Sequence, residues 1–451
     1  MVGGARVCGA ALALLLCATS CLACSSVSYT DGKGTMVSAR NMDFTGLPPL
    51  AVSYVPSGLN DTFVPVWGLL YSTLGKTYTR KYNYACVTPS RKVMYDAAAA
   101  AFPAWAKKVD ISNWPGICND GLNSAGLSLS LQWQLDTTNV PAYNPLKPGP
   151  SVDQADFANY VLANFGSVAD LKAAFDAGLT VSWNPLFTPA AKLGLKTGFI
   201  PCHWGIWDST GASLVVEFSN KMNVYVNNVG VLTNNPLFPQ QLQYLQAVSA
   251  AAAGPPNNQP PLTPSLHGTT FYPSPGSFNS SDRFARLAML KSTANLVPWQ
   301  QAYNFISPGF ALPGSTNPSI QAALSLINSV YLPKGMDDTG GVGPKEADWT
   351  IFQTIRDHTR GRYYWRVANT PLWSMVKLNR VNWDALRACK SVGGVLMLPS
   401  PQWALDMSSA SNLRKLKRFA RVDQARLTTC LGGCITIQDA ASLYTCVHNC
   451  L

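Results

Sequence analysis

Short runs of alternating hydrophobic and polar residues, separated by turn residues, cover most of the chain from residue 24 to residue 390. Such alternation predicts strands, whereas apolar positions spaced three and four apart predict helices. The predicted strands are 27–30, 35–41, 51–55, 127–133, 204–208, 214–218, 224–227 and 231–233. The predicted helices are 152–164, 168–177, 239–252, 281–294 and 318–329. Because the strands come in hairpin-like pairs and the helices in blocks, we expect an α+β fold with layered antiparallel sheets.

The beginning of the chain has the pattern of a targeting segment. Arg6 supplies an early positive charge, an apolar run follows at 10–18, and Ala23 ends a small-residue cleavage position. The run is too short to span a bilayer. We therefore expect residues 1–23 to be a signal peptide, and the mature chain to be secreted, periplasmic or in a lysosome- or vacuole-like compartment. A bacterial lipoprotein signal is the alternative, because Cys24 follows directly.

The last part of the chain, 391–451, differs from the body. Its hydrophobic residues recur with a helical period and have basic residues between them, which predicts a solvated helix face or, alternatively, a helix that binds a membrane surface or an acidic partner. Two pairs of cysteines follow, each spaced four apart: Cys430, Cys434, Cys446 and Cys450. This spacing places each pair on one helical face, where disulfides of nested or other connectivity would form, or a zinc site with His448. We expect a basic, Cys-rich helical extension.

Composition narrows the classes of protein. The chain has 451 residues, 47% hydrophobic and 13% charged, which excludes a disordered chain and a charged coiled coil. The net charge is +11, but outside the tail the basic residues are scattered, so we expect no nucleic-acid partner. No stretch after the first 23 residues is apolar for 18 residues, so we expect no membrane span. Homo-oligomerisation stays open. Pro-rich 254–276, with seven prolines, predicts a long ordered loop.

The cysteine count singles out one thiol. Of 12 cysteines, those at 8, 17 and 21 would leave with the signal peptide, so an odd number remains. Four disulfides would leave one thiol over, and a leftover thiol in an exported protein needs an explanation. Cys24 is the candidate, because cleavage after Ala23 makes it the first residue.

The segment that begins at Cys24 predicts a β-hairpin. The turn signal at 31–34 separates two runs of strand formers. With paired residue numbers that sum to about 65, Cys24 lies opposite Asn41, with Arg40 and Asp43 nearby. A thiol, a guanidinium and a carboxylate therefore meet at one strand end. An ordinary strand with a disulfide-bonded cysteine and a surface Arg–Asp pair is the alternative.

An N-terminal cysteine combines a nucleophile and a base in one residue. The pKa of an α-amino group is about 8, so the amine can accept the thiol proton near neutral pH. A neighbouring arginine favours the thiolate, and a carboxylate could hold the amine in position. This chemistry suits acyl transfer, in which the thiolate attacks an amide carbonyl, the amine leaves and water hydrolyses the thioester.

Four segments resemble the choloylglycine hydrolase family, which covers bile salt hydrolases and penicillin V acylases. The first begins at Cys24 and includes Arg40-Asn41-Met42-Asp43. The others are 119–127 (NDGLNSAGL), 231–236 (VLTNNP) with Gln241, and 281–284 (SDRF); the run 333–336 (PKGM) fits a fifth region. The resemblance covers 24–390 and implies an amidase domain with the four-layer αββα sandwich of the N-terminal nucleophile hydrolases. It implies no metal and no organic cofactor.

The resemblance also implies roles for single residues. Cys24 would be the nucleophile and, through its amine, the base, while Arg40 would lie beside the thiol and Asp43 would hold the amine. Asn234 would donate to the oxyanion, together with a backbone N–H near Gln132 or Trp133. Arg283 would be a second cation of the active site.

These features predict an amidase whose small-molecule substrate joins an apolar acyl group to a small amine. Penicillin V, an acyl homoserine lactone and a conjugated bile salt are candidates, and the many aromatic residues suit an apolar acyl pocket. One alternative is a hydrolase of the acid ceramidase and N-acylethanolamine amidase group, which shares the Cys…Arg-Asn-x-Asp start. Another is an exported, disulfide-rich binding protein without catalysis.

Overall fold

The computed structural model describes residues 24–32, 34–44, 50–61, 78–89, 115–143, 150–183, 199–252, 275–294, 317–334, 348–368, 373–388 and 396–400. The predicted signal peptide, nearly all of the predicted tail with its paired cysteines and His448, and most of the Pro-rich stretch lie outside the described residues. Within these residues, no helix is long and apolar enough to cross a membrane.

The strands, in chain order, are β1 (Ser25–Thr30), β2 (Met36–Phe44), β3 (Leu50–Val55), β4 (Asn60–Asp61), β5 (Tyr78–Thr79), β6 (Tyr84–Pro89), β7 (Asp120–Asn123), β8 (Ser128–Trp133), β9 (Ser151–Asp153), β10 (Thr180–Ser182), β11 (Cys202–Trp207), β12 (Ser213–Phe218), β13 (Met222–Val226), β14 (Val231–Leu232), β15 (Trp349–Asp357), β16 (Arg362–Val367), β17 (Ser374–Lys377) and β18 (Leu396–Ser400). The α-helices are α1 (Phe157–Asn164), α2 (Val168–Asp176), α3 (Phe238–Ala252), α4 (Ser280–Thr293), α5 (Pro318–Asn328) and α6 (Trp383–Arg387). A 3₁₀ turn covers Leu378–Arg380.

Two large sheets organise these elements. The first, here called sheet one, has six strands in the order β14-β1-β2-β15-β16-β17. Sheet two has eight strands in the order β13-β12-β11-β8-β7-β6-β3-β18. Two further pairs of short strands, β9 with β10 and β4 with β5, lie beside them.

Side-chain alternation explains how the two sheets stack. On β8, Leu129 and Leu131 pack into one hydrophobic core with Phe157 of α1. Ser130 points the other way, and its hydroxyl lies 3.2 Å from that of Ser26 on sheet one. The opposite face of sheet one packs against α4 and α5. The order is therefore helix, sheet, sheet, helix, and the mixed fold with two large sheets agrees with the prediction. The predicted Cys-rich helical extension lies outside the described residues.

The hairpin of β1 and β2 forms where the sequence predicts it, but its register differs by one residue. Ser25, rather than Cys24, lies opposite Asn41. The connection is wider than expected because the Asp31 carboxylate accepts the backbone N–H of Thr35 at 2.9 Å. Gly32 and Gly34 take the left-handed φ values of +68° and +91° that this wide turn requires.

One helix prediction needs correction. The predicted helix 152–164 begins only at residue 157, because 151–153 forms β9 and pairs with β10. The described cysteines, Cys24, Cys86, Cys118 and Cys202, are buried free thiols, so no disulfide joins them to one another. Disulfides of the remaining cysteines stay a prediction.

Candidate active site

The candidate site lies at one edge of sheet one, where four neighbouring strands begin or end. Asn234 follows β14, Cys24 precedes β1, Asp43 lies near the end of β2 and Thr350 lies near the start of β15. Because these neighbours are antiparallel, the end of one strand lies beside the start of the next. The sheet thus gathers residues that are far apart in sequence.

Cys24 is buried, with 3% of its surface exposed. Its Sγ atom lies 3.8 Å from Nη2 of Arg40 and 4.0 Å from the backbone oxygen of Asp43. Its backbone nitrogen donates to Oδ1 of Asn234. The predicted meeting of Cys24, Arg40 and Asp43 is therefore present, in spite of the shifted register.

The arginine beside the thiol is held between the two sheets. Arg40 donates to the backbone oxygens of Asn119, directly before β7, and of Leu131 on β8. Its Nη1 atom lies 3.7 Å from Oδ2 of Asp120, with both side chains fully buried. Asp120 is also bound by Nη1 of Arg356, at 2.9 Å. These contacts fix the position of the guanidinium group and keep its positive charge close to Sγ of Cys24.

Asp43 is fully buried, and burial raises its pKa from 3.8 to about 7. The nearby Arg283 and a hydrogen bond from Thr350 oppose that rise, whereas the charge of Asp348 adds to it. Nη1 of Arg283 lies 3.9 Å from Oδ2 of Asp43. The hydroxyl of Thr350 donates to Oδ1 at 2.5 Å. The carboxyl group is thus poised to change its charge near neutral pH.

Arg283 comes from α4 and connects the predicted site residues. Its Nη1 donates to the backbone oxygen of Cys24 at 2.7 Å and to the hydroxyl of Ser25 at 2.5 Å. Its Nη2 donates to Oδ1 of Asn234 at 3.2 Å. It is fully buried. The side chain of Arg283 therefore points into the site and not to solvent.

Asn234 connects the edge of sheet one to the end of β8 in sheet two. Its Nδ2 atom donates to the backbone oxygen of Trp133 at 2.7 Å, while its Oδ1 accepts from Cys24 and Arg283. The side chain of Gln132 points to sheet one, where its Nε2 donates to the hydroxyl of Ser26 at 2.6 Å. Asn234 and the backbone of Trp133 are thus adjacent, and their joint binding of an oxyanion stays a prediction.

Sequence reasoning missed three polar residues around this site. Thr350 and Arg356 belong to β15, a central strand that the pattern did not predict, and Tyr363 donates to Asp120 from β16 at 2.9 Å. The available signal was a polar residue inside an apolar run, as in the IRD end of β15. The residues that the structure describes contain no group of three His, Cys, Asp or Glu side chains that could hold a metal.

Comparisons with known proteins show which family the sequence matches. Residues 24–391 match the model of the family "linear amide C–N hydrolases, choloylglycine hydrolase family". The chain is 27% identical over 320 residues to a bile salt hydrolase/transferase of Clostridium perfringens, covering 67% of this chain and 84% of that protein. It is 24% identical over 270 residues to a penicillin V acylase of Pectobacterium atrosepticum, covering 58% and 62%.

Solved structures show the same fold. A variant of the conjugated bile acid hydrolase from Clostridium perfringens superposes with a TM-score of 0.57 at 20% identity, covering 85% of this chain and 98% of that chain. Penicillin V acylase from Agrobacterium tumefaciens gives 0.54 at 21% identity, covering 79% and 87%. The resemblance inferred from the sequence is confirmed, and the chain belongs to the choloylglycine hydrolase family, whose members are hydrolases of linear amide C–N bonds.

Proposed function

We propose that the chain is an exported cysteine amidase that cleaves the amide between an apolar acyl group and a small amine, through a thioester on Cys24. The observation that carries the proposal is the convergence of one thiol, two guanidinium groups, one carboxyl and one amide at a single sheet edge. The family match over 24–391 supports an amidase domain at 24–390. Signal-peptide removal would make Cys24 the first residue.

The proton of the thiol goes to the α-amine of Cys24. The pKa of such an amine is about 8, so the uncharged base is available at neutral pH. Arg40, 3.8 Å from Sγ, favours the resulting thiolate. In the proposed mechanism the α-ammonium lies between Oδ1 of Asn234, which accepts from this nitrogen in the structure, and Oδ2 of Asp43, which makes no hydrogen bond within the described residues. The positive charge of the ammonium in turn favours the ionised carboxylate.

The oxyanion of the tetrahedral intermediate would be bound by Asn234 and Trp133. The amide of Asn234 carries a second N–H besides the one that donates to Trp133. Backbone N–H groups alternate in direction along β8: that of Leu131 donates to Asn119 and that of Gln134 to Pro201, on opposite sides. The N–H of Trp133 therefore points to the side of Leu131, which is also the side of Arg40.

The remaining steps balance without any further group. Sγ bonds to the amide carbon, and the C–N bond breaks as the leaving amine takes the proton from the α-ammonium. Water then gives its proton to the α-amine and attacks the thioester, which releases the acid and restores the thiol. Relatives named bile salt hydrolase and penicillin V acylase support conjugated bile salts and phenoxyacyl amides as first substrates to test.

The test begins with mature protein whose first residue is checked by mass spectrometry. It is incubated with penicillin V, glycocholate, an acyl homoserine lactone and a fatty acylethanolamide, and released amine is measured. We expect hydrolysis of at least one substrate and a thioester adduct on Cys24 in acid-quenched samples.

Matched samples with Cys24 alkylated by iodoacetamide should release no amine. Turnover of the acylethanolamide alone would favour the acid ceramidase-like alternative. A blocked or lipidated Cys24, or no hydrolysis with any probe, would overturn the proposal in favour of a binding protein.

A further inference from the structure

A buried histidine–glutamate pair lies next to the Asn234 segment. His203 on β11 precedes Trp204, and Glu217 on β12 follows Val216. Because Trp204 and Val216 are paired across these antiparallel strands, His203 and Glu217 also face each other. Both are fully buried. Nδ1 of His203 lies 3.4 Å from Oε2 of Glu217. Neither residue contacts Cys24, Arg40 or Asp43 through any hydrogen bond in the described part of the chain, so the mechanism above does not use them.

His203 binds the peptide group that precedes Asn234. Its Nε2 atom lies 2.7 Å from the backbone oxygen of Thr233. A carbonyl oxygen can only accept, so Nε2 carries the proton and donates it. On the other side of the same peptide group, the backbone N–H of Asn234 donates to the hydroxyl of Ser280 at 2.9 Å. A planar peptide bond that is held at its oxygen and at its nitrogen has a fixed orientation.

Glu217 holds the far end of the same segment. Its two carboxylate oxygens accept from the backbone N–H of Phe238 at 3.1 and 3.0 Å. Phe238 is the first residue of the 15-residue helix α3. A carboxylate at this position accepts a hydrogen bond from a backbone N–H that has no partner within the helix, and its negative charge interacts favourably with the helix dipole. One side-chain pair therefore ties Thr233 and Phe238, the two ends of the loop that carries Asn234.

We propose that His203, supported by Glu217, is a positioning residue that sets the direction of the Asn234 side chain for oxyanion binding. The orientation of the 233–234 peptide group fixes the Cα–Cβ bond of Asn234, and with it the place of the amide. Two glutamines hold the backbone oxygen of Asn234, Gln134 at 2.9 Å and Gln241 at 2.8 Å. They fix the following peptide group and leave the preceding one to His203 and Ser280. The catalytic part of the inference rests on the proposed function; the positioning part does not.

The experiment compares two near-isosteric variants of His203. In His203→Gln the amide nitrogen takes the place of Nε2 and can still donate to Thr233. In His203→Asn the amide nitrogen takes the place of Nδ1 and cannot reach that oxygen. Because a misplacement of about 1 Å can cost about 10²-fold in rate, we expect His203→Asn to lower kcat by roughly 10- to 100-fold with KM within about two-fold. His203→Gln should recover most of kcat.

The matched control is another buried histidine. His358 also has both ring nitrogens bonded, to Ser38 at 2.7 Å and to the backbone oxygen of Gly126 at 2.8 Å, but it lies at the turn end of the hairpin. His358→Asn should therefore lower stability and leave kcat unchanged. Alkylation of Cys24 by iodoacetamide should proceed at the wild-type rate in His203→Gln and His358→Asn, because these variants leave Asn234, which accepts a hydrogen bond from the nitrogen of Cys24, in place.

Hydrogen exchange supplies a readout that needs no turnover. We expect the amides of 233–238 to exchange faster in His203→Asn than in His203→Gln or His358→Asn. If the wild type hydrolyses neither penicillin V nor glycocholate, the proposed function fails on those probes, and exchange alone decides the positioning role. Unchanged exchange at 233–238, equal kcat in the Asn and Gln variants, or a rise in KM at unchanged kcat would each overturn the inference.

Discussion

The two ends of the β1–β2 hairpin use the same strands in opposite ways. At the turn end, polar groups are satisfied by one another: Asp31 accepts from Thr35 and Ser319, and both nitrogens of His358 are hydrogen-bonded. At the other end, Nε of Arg40 and Oδ2 of Asp43 are buried and make no hydrogen bond within the described residues. A buried polar atom without a partner costs about 1–3 kcal/mol. One end of the hairpin therefore stabilises the fold, whereas the other end keeps buried polar atoms available to bind the reacting groups.

Removal of the nucleophile should give the largest effect, a loss of activity at the reactive end of the hairpin without a loss of stability. Cys24→Ser should lower amide hydrolysis by about 10³-fold or more, because the hydroxyl is a far weaker nucleophile than the thiolate. Circular dichroism and thermal melting should change little. Cys202→Ser is the matched control: its thiol is equally buried, but it contacts Gln154 rather than the site. Full activity in Cys24→Ser would contradict the mechanism.

The second prediction concerns the charge of Asp43. Asp43→Asn should lower kcat/KM by roughly 10²-fold, because the α-ammonium loses its partner. In the chain that still carries the residues before Cys24, no α-ammonium faces Asp43, and the raised pKa means that the native state binds a proton between about pH 4 and about pH 7. The stability that Asp43 contributes to this chain is present at low pH and lost as the pH rises through about 7.

The corresponding decrease in the free energy of unfolding would be on the order of 4 kcal/mol for a rise in pKa from 3.8 to about 7. Urea titrations of this chain, with and without Asp43→Asn, across this pH range measure it as the difference between the two proteins. A difference in free energy of unfolding that stays constant with pH would show that Asp43 is already ionised in the folded chain.

The third prediction tests the turn end. Burial lowers the pKa of His358 to about 3, so the neutral ring is the native form. His358→Leu should cost about 2–4 kcal/mol at pH 7, because Ser38 and Gly126 lose their partner, with no change in kcat. In the wild type the contribution of His358 should be complete above about pH 6.5 and should fall as the pH drops toward about 3, the opposite sign to Asp43. A loss of kcat at unchanged stability would contradict this division of labour.

The smallest predicted effect concerns Thr350. Its hydroxyl donates to Asp43 and accepts the backbone N–H of Leu332 at 2.9 Å. The bond from Thr350 lowers the pKa of Asp43, so Thr350→Val should raise that pKa further and move the acidic limb of the pH–rate profile to higher pH. The expected loss of stability is about 1 kcal/mol. Thr350→Ser keeps the hydroxyl and should behave as wild type; a shifted limb in that variant would argue against the bond as the cause.

Both faces of most strands are buried, but one face packs on helices while the other meets the opposite sheet through polar residues such as Ser26 and Ser130. Hydrophobic and polar residues therefore still alternate along many strands, and much of the fold was predictable. Five helices and most strands of sheet two follow the hydrophobic period, and the N-terminal hairpin follows its turn signal. The register was not predictable to one residue, because the side chain of Asp31 widens the turn. The strand β15 was missed because polar residues such as Gln353 and Arg356 are buried within it, where they bind other polar side chains.

The residues of the candidate site were predicted more completely than the residues that position them. Cys24, Arg40 and Asp43 lie close in sequence and one turn brings them together, while Asn234 and Arg283 came from motifs of the resembling family. His203 and Glu217 carry no such motif, and each has the appearance of an ordinary strand residue. Their proximity depends on the pairing of β11 with β12 and on the start of α3, which no local pattern specifies.

One feature of the site links catalysis to folding. Thr350 and Asp43 touch although 307 residues separate them along the chain, and 258 residues separate Arg283 from Ser25. Contacts of such long range close large loops and form late in folding. Turnover should therefore begin only when the whole domain is assembled, so that regain of activity after denaturant dilution serves as a clock for the last folding step.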